Sequence, residues 1–199
     1  MAEKITYYDA RPKVVKYDAR PKTVIPVIIN GSGGVGKDTF IELCKRYTYS
    51  SEISFWCDVE NYSSVDIIKT AAGVLGWDGG KNEKDRKFLS DLKKLTKEYN
   101  NCSIKYMAKK YNNCLNAKVS TGTYILFFHI REPEEIEEFK NYVKNPITVL
   151  VRRDDAKAIT SNSSDANVDN YTYDRIIENN GSLDDLAKKA REFINSFGK

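Results

Sequence analysis

Residues 31–39 read Gly31-Ser32-Gly33-Gly34-Val35-Gly36-Lys37-Asp38-Thr39, a glycine-rich turn that exits through a lysine. An apolar, β-branched run (Val24, Ile25, Val27, Ile28, Ile29) comes before it, and Phe40, Leu43, Cys44 and Tyr47 follow at helical spacing. Strand, glycine turn, lysine and helix in that order are the context that makes a G-x-x-x-x-G-K match a phosphate-binding loop. Glycines let successive backbone amides turn inward without a Cβ clash. Those amides and the helix N-terminus form a concave anion site. Lys37 adds a mobile positive charge able to follow a phosphate during transfer. All nine positions, Gly31 to Thr39, are therefore candidate nucleotide-binding residues.

One letter departs from the usual loop. The residue after the lysine is ordinarily Ser or Thr, whose hydroxyl meets Mg²⁺. Here it is Asp38, with Thr39 one place later. A carboxylate is a hard, charged oxygen ligand that serves Mg²⁺ directly or through water, so Asp38 is the candidate metal ligand. The plainer alternative is that Asp38 only caps the helix it opens.

Outward from the loop, the chain alternates strand and helix. Ile53 to Cys57 reads as a short strand, and Ser63-x-x-Asp66 as a capping box opening a helix through Val65, Ile68, Ala72 and Leu75. Phe88, Leu92, Leu95 and Tyr99 fall at helical spacing, as do Ile104, Met107, Tyr111 and Leu115. Tyr124 to Ile130 is a buried strand. Pro133 with Glu134 and Glu135 starts a further helix. Ile147 to Val151 and Arg175 to Glu178 are the last two strands, and Ser182-x-x-Asp185 caps a final helix. Five buried strands between helices imply an α/β fold with a parallel sheet covered on both faces. The glycine loop then lies at the carboxyl edge of the first strand. Residues 59–120 form a long helical insertion suited to holding an acceptor. Residues 153–170, rich in Asp, Ser and Asn, read as a lid-like loop. Residues 1–22 form an arm in which Tyr8-Asp9-Ala10-Arg11-Pro12-Lys13 recurs as Tyr17-Asp18-Ala19-Arg20-Pro21-Lys22, too short a repeat for a solenoid. The domain proper is 23–199.

Composition narrows the function classes. A chain of 199 residues with 41% hydrophobic content suits one domain with a real core. A net charge of +4 on interleaved acids and bases argues against a dedicated nucleic-acid binder. The thirteen tyrosines, several beside lysines, suit core and half-buried positions better than base stacking. The four cysteines have no C-x-x-C spacing and there is one histidine, which disfavours structural zinc and leaves free thiols. With no secretory h-region and no long apolar run, the expectation is a cytoplasmic protein with no membrane contact.

The chain resembles the P-loop nucleotide kinase superfamily, and within it the deoxynucleoside monophosphate kinase and phosphomevalonate kinase branch. Three segments carry the resemblance. They are Gly36-Lys37-Asp38-Thr39, then Phe128-His129-Ile130-Arg131-Glu132-Pro133, and then Asp174-Arg175-Ile176-Ile177-Glu178-Asn179-Asn180-Gly181. The resemblance implies a three-layer P-loop NTPase fold, strand order 2-3-1-4-5, with ATP and Mg²⁺ as cofactors and a small phosphorylated molecule as acceptor. His129 stands where the branch usually has an Asp that helps hold Mg²⁺ or its waters. Imidazole is a poor ligand for a hard cation, so either Asp38 carries more of the metal binding or catalysis is weak.

On this reading Lys37, Arg131, Arg152 and Arg153 are the catalytic candidates. Lys37 stabilises the transferring phosphoryl group. Arg131, past a central strand, can grip an acceptor phosphate bidentately, with a surface ion pair to Glu132 or Glu135 as the alternative. Arg152 and Arg153 precede the lid-like loop, where arginines close over phosphates. Asp58 and Arg86 are acceptor-side candidates, and Asn180, in the turn 179–181, lies near where an adenine would sit. The leading expectation is ATP-dependent phosphorylation of a (deoxy)nucleoside monophosphate. The alternatives are a regulatory ATPase or switch with a protein partner, and a kinase of a non-nucleotide phosphate.

Overall fold

In a computed structural model, described for residues 22–118, 121–154 and 168–198, five parallel strands form one sheet. They are β1 (Thr23–Asn30), β2 (Cys57–Ser63), β3 (Thr123–His129), β4 (Ile147–Arg152) and β5 (Arg175–Glu178). Their spatial order is β2-β3-β1-β4-β5, the order the resemblance implies. Helices α1 (Lys37–Thr48), α2 (Asp66–Val74), α3 (Glu83–Asn100), α4 (Cys102–Asn116), α5 (Pro133–Lys140) and α6 (Leu183–Asn195) accompany it. The arm up to residue 21 and most of the lid-like loop lie outside the described residues.

The pleat sorts the core into two layers. Val27, Ile29, Ile125 and Phe127 face α1 and α6, while Ile28, Leu126 and Phe128 face α4 and α5. On the first side Phe40, Phe127 and Phe193 pack at ring separations of 5.5 to 6.4 Å and join both helices to the sheet. Alternation carries the same rule to the end of β3: His129 has the parity of Phe127 and so turns toward the start of α1.

The helix signals hold with two differences. Ser182 and Asp185 form the expected capping box on α6, Pro133 opens α5 with Glu134 and Glu135 in its first turn, and Asn82 with Asp85 boxes α3. At Ser63-x-x-Asp66, however, the Asp66 carboxylate accepts the Ser63 amide at 2.7 Å, yet Ser63 is the last residue of β2 and Val65 is the N-cap of α2. The α3 stripe forms a helix as expected but buries no residue; Leu95 and Tyr99 are exposed. The insertion also starts later than residue 59, because 59–63 belong to β2.

The second strand is the main correction. It runs from Cys57 to Ser63, not from Ile53 to Cys57. Ile53 and Phe55 are apolar because they pack, from a connecting segment, into the layer beneath α1 and α6. All four cysteines are free, Cys44 and Cys57 buried and Cys102 and Cys114 half-buried. Lys22 caps the far end of α4: its ammonium donates to the carbonyls of Cys114, Leu115 and Ala117, favourable for a cation at a helix C-terminus.

Truncating Phe127 empties the point where both helices meet the sheet. Phe127→Ala is expected to cost about 3–5 kcal/mol, read as a lower urea midpoint with an unchanged slope.

Candidate active site

Gly31 to Gly36 turn between two buried asparagines. Asn30, the last residue of β1, is fully buried. Its Oδ1 accepts the Gly31 amide at 2.8 Å, and its Nδ2 donates to the Arg131 carbonyl at 2.9 Å and the Tyr173 hydroxyl at 2.7 Å. On the far side, Asn179 follows β5 and donates from Nδ2 to the Val35 carbonyl at 2.9 Å. Its own amide donates to the Arg152 carbonyl at 2.7 Å. The loop is thus tied to the segment after β3 and to Tyr173 through one asparagine, and to the ends of β4 and β5 through the other.

The backbone has the shape the glycines were expected to permit. Gly31, Gly34 and Gly36 have φ of 142°, 79° and 98°. A Cβ on Gly36 would stand 2.4 Å from Asn179 Nδ2, and one on Gly31 would stand 2.3 Å from the Val151 carbonyl oxygen. Gly36 is the N-cap of α1 and no side chain caps that helix. The first-turn amides, which have no intrahelical acceptor, are therefore left to a ligand. Asp38 stands in the first turn of α1, where its negative charge favours the helix start. Lys37 folds its ammonium back over the loop onto the carbonyls of Gly31 and Ser32, the latter at 2.7 Å. That places a cation at the mouth of the cradle.

His129 is the centre of the electrostatics. Burial pushes its imidazole below the usual histidine range, opposed by Asp38 and Asp66 and helped by Lys37 and Arg131. The ring is therefore neutral at neutral pH, and its 3.6 Å approach to Asp38 Oδ1 is neither a salt bridge nor a hydrogen bond. Nε2 is buried and unpartnered. Lys37, Asp38 and Arg131 thus gather around one ring at the carboxyl edge of the sheet. Asp66, which sequence reading assigned only to a helix cap, joins them.

Other candidates lie elsewhere. Asp58 is in register with Tyr124, five positions before the Ser63–His129 pair, so it sits roughly 16 Å down the strand, toward the amino end of the sheet. The expectation that it follows its strand fails because the strand was placed too early. Arg86 is exposed on α3, its Nε donating to the Lys81 carbonyl at 3.0 Å. Arg152 pairs with Glu178 on β5 at 2.6 Å, and Arg153 is exposed just beyond β4. Asn180 exchanges hydrogen bonds with Asp154, at 2.9 Å from its amide and 2.6 Å to its carboxylate. Asn179, not Asn180, holds the loop. Sequence reading missed Asn30 and Tyr173 as well, although an asparagine directly before the first loop glycine was a visible signal.

The site was tested for Mg²⁺ on its own donors. Among the described residues no group of three or more His, Cys, Asp or Glu side chains is placed to hold a metal alone. One exposed carboxylate, Asp38, stands beside the cradle with its side chain 90% accessible. That set fits Mg²⁺, which is bound through one or two carboxylates together with substrate phosphates and waters. Beside the site, past the end of β3, two open clefts of about 580 and 430 Å³ share Pro133, Glu134 and Asn170. Lys97 of α3 and Glu132 border the smaller, and Glu137 and Tyr171 the larger.

Gly36→Ala places a Cβ against Asn179 at a left-handed φ. It is expected to lower stability by about 1–3 kcal/mol, read by thermal shift, and to give a smaller melting-temperature response to Mg·ATP than the parent protein in the same assay.

No protein-family profile matches the chain, and no curated protein matches it. Solved structures do. A sugar kinase from Janibacter sp. HTCC2649, unliganded, superposes with a TM-score of 0.51 at 13% identity, over 87% of this chain and 95% of that one. Shikimate kinase from Aquifex aeolicus gives 0.44 at 10% identity over 87% and 98%. The first likeness is one of fold: the chain shares the architecture of that sugar kinase, built here on a parallel sheet of order β2-β3-β1-β4-β5.

Proposed function

We propose that this chain transfers the terminal phosphoryl group of ATP to a small phosphorylated acceptor, with a (deoxy)nucleoside monophosphate as the first candidate. The observation that carries the reading is the cradle: three left-handed glycines, an uncapped helix N-terminus and the Lys37 ammonium over the loop mouth. Only an anion uses that combination. The main-chain amides hold the donor phosphates, and Lys37 exchanges the Gly31 and Ser32 carbonyls for phosphate oxygens. Asp38 would hold Mg²⁺, which would supply positive charge to neutralise the donor phosphates. Arg131, leaving the same strand end as His129, faces the acceptor phosphate. Catalysis on this reading is positioning and charge stabilisation, with no covalent intermediate.

One observation favours a second reading, a non-nucleotide phosphorylated acceptor. The clefts at the start of α5 are walled by Glu132, Glu134 and Glu137. Those carboxylates can accept hydrogen bonds from hydroxyl or amino groups of an acceptor.

The test is ADP release from Mg·ATP across two acceptor panels, the nucleoside and deoxynucleoside monophosphates and a set of phosphorylated polyols and amines. Acceptor-stimulated turnover is expected in one panel. Lys37→Ala is expected to reduce it at least about a hundredfold with unchanged far-UV circular dichroism. Turnover indifferent to every acceptor would leave a nucleotide-hydrolysing switch instead, and an unaffected Lys37→Ala rate would overturn the assignment of the loop.

A further inference from the structure

We propose that His129 is the positioning residue for Asp38: its Nε2–H donates to the Asp38 carboxylate and holds it in the orientation that receives Mg²⁺. The inference rests on the reading of Asp38 as the metal ligand and adds the group that aims it. Here the helix start supplies the carboxylate, Asp38, and the strand end supplies a ring, His129.

Three observations carry it. Nε2 of His129 is buried and has no hydrogen-bond partner. Buried polar nitrogens are almost always paired, so an orphan directs attention to the nearest acceptor. The polar atom in view is Asp38 Oδ1 at 3.6 Å. It needs to approach by only about 0.7 Å to make an ordinary N–H···O bond, and an exposed side chain in the first turn of α1 has room to do so. The third observation is chemical. A carboxylate only accepts, so a bare Nε2 facing it would set lone pair against lone pair; the proton therefore belongs on Nε2. The charged groups facing the ring, Lys37, Asp38, Asp66 and Arg131, include no other group that both lies this close and accepts from Nε2.

The reason for such a residue follows from the exposure of Asp38. A carboxylate that is 90% accessible samples several rotamers, and a metal ligand in that condition binds weakly. A second partner that fixes the ligand is worth about 10–100-fold in metal affinity. The ring is well suited to aim a side chain because its own place is fixed by β3: the His129 carbonyl accepts the Ser64 amide at 3.2 Å, and residues on both sides of the ring are in the sheet core.

The experiment measures ADP affinity with Mg²⁺ and in excess chelator, on the full chain, for the parent protein, His129→Phe, His129→Gln and Asp38→Ala. Their ratio is the metal-dependent part. His129→Phe keeps a buried ring without a donor, and His129→Gln places an amide N–H near the position of Nε2. The expected result is a parent ratio well above one, cut about tenfold in His129→Phe and in Asp38→Ala, and largely restored in His129→Gln, with affinity in chelator unchanged in the two His129 variants. Because His129 is the only histidine in the chain, ¹⁵N-labelled protein reports its ring directly. The parent is expected to show the proton on Nε2, with that proton shifting downfield on addition of Mg·ADP, and Asp38→Ala is expected not to show the shift. Equal losses with and without Mg²⁺ in His129→Phe would mean a structural role and overturn the proposal, as would a proton on Nδ1 alone. A parent ratio of one, or an Asp38→Ala ratio equal to the parent's, would instead remove Asp38 as metal ligand and the proposal with it. No ADP binding under either condition would remove the nucleotide reading altogether.

Discussion

Asn179 donating to the Val35 carbonyl, against a Gly36 that has no Cβ, is the contact on which the site depends. A loop with three left-handed residues is costly for any side chain but glycine, and flexible enough, with glycine, to adopt many shapes. Closure by two asparagines selects one of them. Asn30 fixes the entrance by accepting the Gly31 amide, and Asn179 fixes the exit one residue before α1. Each asparagine also reaches beyond the loop, one to the segment after β3 and the other to the ends of β4 and β5, so the loop does not depend on the short-range preferences of its own residues. The result is a set of amides whose direction is determined before any ligand arrives. That is what a site made of weak dipoles requires if they are to act together.

The charges around this frame follow from the same geometry. Parallel strands bring their carboxyl ends into one row, and Ser63, His129 and Ile29 stand side by side in it. Lys37 and Asp38 reach this row from the helix start, Asp66 from beyond β2, and Arg131 from beyond β3. Two cations and two carboxylates therefore surround a ring that burial keeps neutral. A neutral ring in that place lets opposite charges approach each other without adding a third positive charge beside Lys37, which leaves the lysine's field directed into the loop.

How far the sequence anticipates all this varies with the kind of signal. The loop was legible because glycine, lysine and their flanking periodicities each restrict the backbone in the same direction. β3 and α6 were legible for similar reasons, one from an unbroken apolar run and the other from a reciprocal cap. β2 was not. It is the edge of the sheet, paired on one side only, so Glu60 and Asn61 are tolerated and the strand lacks the apolar run of its neighbours. The apolar run just before it, Ile53 to Cys57, is largely a connecting segment buried by tertiary packing. That displacement alone moved Asp58 to the wrong end of the sheet. The part played by Asn179 was illegible for another reason. Asn179-Asn180-Gly181 reads as turn chemistry, and only the fold shows that the Asn179 amide donates to a carbonyl 144 residues away.

The insertion adds a constraint of a different kind. α3 runs for eighteen residues and buries none of them. Its hold on the core is partly electrostatic: Glu135 of α5, almost wholly buried, takes Lys93 at 2.9 Å and lies 3.9 Å from Lys97. Truncating one partner of such a pair costs more than the pair contributes, because a buried carboxylate is left without its cation. Lys97 also borders the smaller cleft, where Glu134 faces it at 3.9 Å. The cation that helps seat α3 is therefore the same one an acidic group entering that cleft would meet. Such a group competes with Glu134 for Lys97, while Lys93 keeps Glu135 compensated.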